Sequence, residues 1–149
     1  MPIKNYTTEI PVDRTIAELS SALAGKGVSM IQTMYGGAGQ PAGLRFAIDT
    51  KDGTLTFAMP IKVDGVYAAL VRDNVWPPRG RRTDENRRKH ARAVAWRILH
   101  DWALAQLAIV DAEMAELQEI FLPYMLAGEG TLYRYLSDNG FQKALAAPE

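Results

Sequence analysis

The feature that most constrains this chain is a long helical run with apolar residues on two faces. Thr83 or Asp84 can cap it. From Ala91 onward one stripe runs through Ala95, Ile98, Trp102, Ala105 and Ile109. A second runs through Trp96, Leu99, Ala103, Leu107, Val110, Met114, Leu117 and Phe121. Two stripes require contact on two sides. A helix from Asp84 to Leu117 would be about 50 Å long, whereas a compact domain of this size is about 40 Å across. The helix must therefore overhang its domain, break near Asp111, or pack against another subunit. The double face favours the last of these, so a homo-oligomer through the long helix is expected. Pro123 ends or kinks the run.

The first 60 residues alternate instead. Tyr6, Thr8, Ile10 and Val12 fall on one side, as in a strand. Asp13 then caps a helix with Ile16, Leu19, Ala22 and Leu23 on one face, and Gly25 and Gly27 stop it. "SMIQTMY", "LRFAID" and the run with Leu55, Phe57 and Met59 alternate again, and Asp52-Gly53 signals a hairpin between the last two. Pro60 closes the last strand. The expected architecture is α+β: a small, mainly antiparallel four-stranded sheet in the order β-α-β-β-β, then a helical C-terminal half with one long helix. At 149 residues and 48% hydrophobic content the chain suits one domain. Residues 1–60 form the sheet with its helix, and residues 61–149 the helical part. "VDGVYAALVRD" predicts a short helix, "NVWPPRGRR" a loop, and "TLYRYLSDNGF" a final helix stopped at Asn139-Gly140.

Charge is distributed more sharply than its total suggests. Seventeen basic residues balance seventeen acidic ones, so the chain is not a polycation. Yet nine of the seventeen lie between Arg72 and Arg97, beside only Asp73, Asp84 and Glu85. From Ile98 to Tyr133 there is no Lys or Arg, while Asp101, Asp111, Glu113, Glu116, Glu119 and Glu129 are acidic. This order opposes the helix dipole, which prefers acids at the N-terminus. Helix stability alone does not account for it. Asp84 with Arg88, Glu85 with Lys89, and Arg97 with Asp101 are spaced to pair within the helix. Arg79, Arg81, Arg82, Arg87 and Arg92 are left over, next to Trp76. Arginines beside a tryptophan bind phosphates and stack bases. The candidate nucleic-acid-binding residues are therefore Trp76, Arg79, Arg81, Arg82, Arg87, Arg88, Lys89 and Arg92. A protein partner, the acidic end of a neighbouring subunit, or plain solvation of this face are the other readings.

Several chemistries find no support. Without cysteine there is no thiolate nucleophile and no thiolate metal ligand. His90 and His100 would lie about 80° and about 15 Å apart on one helix, too far to share a metal. His90 could join a phosphate site, and His100 is expected on the helix surface or at an interface. Glu113, Glu116 and Glu119 lack a histidine at ligand spacing and suit a solvated face. "GGAGQPAG" lacks the Lys-Ser/Thr pair of a P-loop and leads into a strand, so it predicts a flexible hairpin. No serine sits in a nucleophile elbow. The expectation is no enzyme, no metal and no cofactor. "MPIKNYTTEIPVDR" has no apolar core of a signal peptide, and "WALAQLAIV" is far short of the roughly 20 residues of a membrane span. A cytoplasmic protein that does not cross a membrane is expected.

The ordered segments "IKNYTTEIPVDRTIAELSSALAGKGVSMIQTMY", "GLRFAI", "AWRILHDWALAQLAIVDAEMAELQEIFLPYM" and "TLYRYL" resemble a family of small, uncharacterised phage and prophage proteins. The "KNYTT" start and "FLPYM" carry most of the resemblance, which covers most of the chain. It implies a viral or prophage origin and action in the cytoplasm of a bacterial host, and transfers no catalytic residue. Combined with the basic run, it leads to a non-enzymatic phage accessory protein that contacts nucleic acid. The alternative is an interaction protein that inhibits a host defence factor or sequesters a small ligand at a subunit interface.

Overall fold

The alternating segments pair as their side-chain period requires. A computed structural model of the chain describes residues 1–77 and 83–146. In it, β1 (Met30–Tyr35), β2 (Pro41–Thr50) and β3 (Gly53–Ala58) form an antiparallel sheet in that order. Phe46 is the register centre, opposite Ile31 on one side and Phe57 on the other. Leu44, Phe46 and Ile48 consequently share the core face of β2. The β1–β2 hairpin is the glycine-rich loop, closed by Gly36 N–H to the Gln40 carbonyl at 2.9 Å. The second hairpin turns on Lys51 and Asp52, with the Thr50 hydroxyl donating to the Gly53 carbonyl at 2.7 Å.

The sheet has three strands, not four. Residues expected to form the first strand instead make a turn, because Asn5 adopts a left-handed backbone with φ 63°. Tyr6 N–H then bonds the Ile3 carbonyl and Thr8 N–H the Asn5 carbonyl. This N-terminal strap lies along the long helix rather than beside a strand. Helix α1 (Val12–Ala24) follows, with Pro11 at the N-cap; Asp13 sits inside the first turn and does not cap it. Its carboxylate there still favours the helix dipole. Of the two glycines expected to stop α1, Gly27 is left-handed at φ 77° while Gly25 stays right-handed.

Helix α2 spans Val63–Asp73, and α3 spans Asp84–Asp111, 28 residues and about 42 Å. Thr83 caps α3 by accepting from Asn86 N–H at 3.2 Å. The helix breaks at Asp111 through a Schellman motif: Met114 N–H reaches the Ile109 carbonyl and Glu113 N–H the Val110 carbonyl. Glu113 occupies the left-handed position, φ 58°, where glycine is usual. A new helix, α4 (Leu117–Phe121), then starts from a capping box between Glu116 and Glu119. A single turn around Pro123 leads to a small ribbon, β4 (Leu126–Ala127) with β5 (Gly130–Thr131). Met125 bridges to Phe57 and so ties the ribbon to the open edge of β3. Helices α5 (Leu132–Asn139) and α6 (Phe141–Leu145) finish the described chain.

Two apolar clusters meet on α3. Trp96, Leu99, Ala103 and Leu107 join α1, the core face of the sheet and α4. Ala91 and Val94 join Leu70 of α2, with Ile3, Tyr6, Tyr67, Trp76 and Ile98 around them. The apolar residues of α3 thus meet neighbours from this same chain on more than one side. Among the described residues no helix is long and apolar enough to cross a membrane.

Phe46 is the keystone of the larger cluster. Its ring stacks on Phe57 at 5.1 Å and meets Phe121 edge-on at 5.2 Å. Phe46→Ala is expected to cost about 3–5 kcal/mol in denaturant unfolding, and Phe46→Leu much less. Equal, small losses for both would show that the aromatic contacts do not hold sheet to helix.

Candidate nucleic-acid interface

The start of α3 faces a cleft of about 910 Å³. The strap from Thr8 to Pro11 and the first residues of α1 make one wall. The opposite wall is α3, with Glu85, Lys89, Arg92 and Ala93 on one helical face. The hairpin tip at Gln40 and Pro41 and the loop residues Trp76 and Pro77 complete the lining. Local polar bonds hold these parts in place. His90 is buried and donates Nε2–H to the Tyr6 carbonyl at 2.6 Å, fixing the strap across α3. Thr8 Oγ1 accepts from Ile10 N–H at 3.2 Å and shapes the strap's exit into α1.

The expected site residues divide among three places. Trp76, Arg87, Lys89 and Arg92 line the cleft. Arg88 is turned elsewhere: its guanidinium lies 4.6 Å from the Tyr67 ring centre and its Nε donates to Asp84 at 3.2 Å. Tyr67 also donates to Asp84, at 2.9 Å. That bond, followed by the one from Arg88, holds the Asp84 carboxyl below its ordinary value. The same bond to Asp84, with burial, pushes the Tyr67 hydroxyl up. Arg79, Arg81 and Arg82 lie outside the described residues.

Trp76 is a packing residue as well as a lining one. It is half-buried in the smaller cluster, with Tyr67 at 6.0 Å, His90 at 6.5 Å and the Arg87 guanidinium 4.9 Å over its ring. Arg87 already occupies part of the surface a nucleobase would need. Lys89 and Arg92 differ from Arg87 and Arg88 in having no carboxylate partner and no aromatic ring among the described residues. Glu85 makes no pair with Lys89, although the spacing allows one. The other missed residues are Glu9 and Asp13, equally unpaired among the described residues, on the strap side. No local pattern marked them, because Glu9 is placed by the strap after the turn at Asn5 and Asp13 by the packing of α1 on α3.

His100, expected on the helix surface or at an interface, is 5% exposed, which excludes the surface. Its Nε2 lies 2.9 Å from Glu18 and its Nδ1 2.9 Å from Asp101, so each ring nitrogen faces a carboxylate. Arg97 reaches across to Glu18 at 2.7 Å instead of pairing with Asp101 in its own helix. Asp101 is taken by Asn5 at 3.0 Å and Lys4 at 3.7 Å, a second anchor for the strap. The Arg97 hydrogen bond, opposed by burial, holds the Glu18 carboxyl below its ordinary value, with the charges of Arg97 and His100 assisting. Burial pushes Asp101 up, but bonds from Asn5 and His100 outweigh it and leave that carboxyl lowered too.

Glu116 and Glu119 serve the capping box of α4. Among the described residues no group of three or more His, Asp or Glu side chains could hold a metal ion. No protein-family model, no curated protein and no solved structure matches this chain.

Trp76→Ala is expected to lower the melting temperature, with a loss of about 2 kcal/mol for a half-buried indole. An unchanged melting temperature would make Trp76 a surface residue. The Glu18 and Asp101 carboxyls are lowered in the folded state. The stability they contribute is therefore present above the ordinary carboxylate range and lost as pH falls through the lowered values. Urea unfolding at stepped pH should show a decline below about pH 4, and Glu18→Gln should flatten it. An identical acid profile in the variant would remove Glu18 from this account.

Proposed function

We propose that this chain is a non-enzymatic accessory protein of a phage or prophage, and that it grips nucleic-acid phosphates at the start of α3. The observation that carries this reading is the pair Lys89 and Arg92. Both line the cleft, and neither has a carboxylate partner among the described residues. Unpaired cations grouped in a concave site are the means by which proteins neutralise phosphates and release counterions. Arg87 adds its charge from above Trp76. In sequence Arg79, Arg81 and Arg82 precede the start of α3 and add to its positive charge. The reversal of charge along α3, against the helix dipole, supports a role for the basic end beyond helix stability.

A second reading, a phage protein that blocks a host factor, has its own support at the far end of the chain. Tyr133 (56% exposed), Tyr135 (55%), Phe141 (44%) and Leu145 (73%) leave an aromatic and apolar surface on α5 and α6. Tyrosine and phenylalanine are the residues that interfaces favour. A homo-oligomer through α3 belongs to the proposal too. Its seam would use the outward residues Leu104, Ala105 and Ala108, since the inward ones are covered by the chain itself.

If phosphates are the target, Lys89→Ala with Arg92→Ala should weaken binding alike across sequences, because phosphate contacts position without reading bases. The salt dependence should flatten by about one unit per lost contact. Replacing Arg79, Arg81 and Arg82 by alanine should act the same way. Absence of any salt-sensitive binding of wild-type protein at low salt would end this reading. Light scattering across a concentration series tests the seam: the oligomer should dissociate in Leu104→Glu, and a wild-type monomer throughout would exclude it.

A further inference from the structure

The cleft holds free charges of both signs, and they do not neutralise one another. Lys89 and Arg92 stand on α3, whereas Glu9 and Asp13 stand on the strap and the first turn of α1. None of the four makes an ion pair or side-chain hydrogen bond among the described residues. Glu85, on the α3 side, is likewise unpaired among the described residues. A purely anionic ligand would be repelled by three carboxylates at its own site. A ligand carrying anionic groups and hydrogen-bond donors would satisfy both walls.

Resting on the phosphate-binding reading above, we propose that the cleft takes a single-stranded nucleic acid and favours bases that bear an exocyclic amino group. Phosphates lie against Lys89 and Arg92. Cytosine N4–H₂ donates to Glu9 or Asp13, as carboxylates accept from that group elsewhere. Thymine presents a carbonyl oxygen at the same position and is disfavoured beside a carboxylate.

The fold argues for a strand rather than a duplex. A helix that reads duplex DNA projects into a major groove about 12 Å wide. Here α1 and α2 both pack on α3, and His90, Ala91, Val94 and Ala95 are buried beneath its first turns. The face with Glu85, Lys89 and Arg92, flanked by Arg87, opens to the cleft, and the strap stands opposite it. The cleft volume of about 910 Å³ matches small-ligand sites rather than a groove-spanning surface. With Arg87 over Trp76, base choice falls to the carboxylates rather than to stacking on that ring.

Fluorescence anisotropy with labelled deoxycytidine and deoxythymidine oligomers, at low salt and equal length, tests the proposal on the full chain. The cytidine strand should bind at least about fivefold more tightly, the lower bound for one good base contact. Glu9→Ala with Asp13→Ala should abolish that preference while strengthening thymidine binding, since the repulsion of phosphate is removed. Circular dichroism would establish that the variant is folded. Equal affinity of the wild type for both strands, or tighter binding of a duplex, overturns this inference but leaves phosphate binding intact. Failure of every oligomer to bind overturns the phosphate reading itself.

Discussion

Everything in this fold leans on α3, and α3 leans on burial from more than one direction. Trp96, Leu99, Ala103 and Leu107 are covered by α1, the sheet and α4, while Ala91 and Val94 are covered by α2 and the strap. A helix gripped in this way cannot rotate or slide without opening apolar surface, at about 25 cal/mol for each Å² exposed. That fixed axis positions the cleft. Lys89 and Arg92 point from one face of a helix whose other faces are already committed.

Polar contacts set the angle at which the neighbours meet that axis. Burying His100 between Glu18 and Asp101 joins α1 to α3, and Asp101 passes the connection to Asn5 and Lys4 on the strap. A removed partner would leave a desolvated charge behind, so the arrangement is costly to break even where it adds little net stability. His90 makes the same kind of connection one site further along, through the Tyr6 carbonyl. Both histidines of this chain therefore serve to hold the strap or α1 against the long helix.

Where local chemistry decides structure, the sequence was readable. The alternation at Ile31 and Thr33, at Leu44, Phe46 and Ile48, and at Leu55 and Phe57 belongs to the three paired strands. Helix α2 occupies the stretch its pattern marked, and Thr83 caps α3. Where distant partners decide, it was not. Tyr6, Thr8, Ile10 and Val12 alternate as well as any strand, but His90 and Asp101 draw that segment onto a helix. The end of α3 uses Glu113 in a left-handed conformation that sequence habit assigns to glycine or asparagine, so the sequence offered the break near Asp111 only as one of three alternatives. Likewise the basic wall of the cleft was visible as a run of arginines. Its acidic wall was not, because Glu9 is placed by the strap after the turn at Asn5 and Asp13 by the packing of α1 on α3.

The two sets of charges on α3 differ in what satisfies them. Along the seam with α1, Arg97 and His100 are largely buried and each meets a carboxylate within 3 Å. About two turns earlier, Lys89 and Arg92 are left facing Glu9 and Asp13 across open space. A surface ion pair would have contributed little there, typically below about 1 kcal/mol, so leaving it unmade costs the fold almost nothing. It leaves cations and carboxylates free to interact with something else. The paired charges of Arg97 and His100 join α3 to α1, and the unpaired Lys89 and Arg92 are the groups that the proposed phosphate site would use.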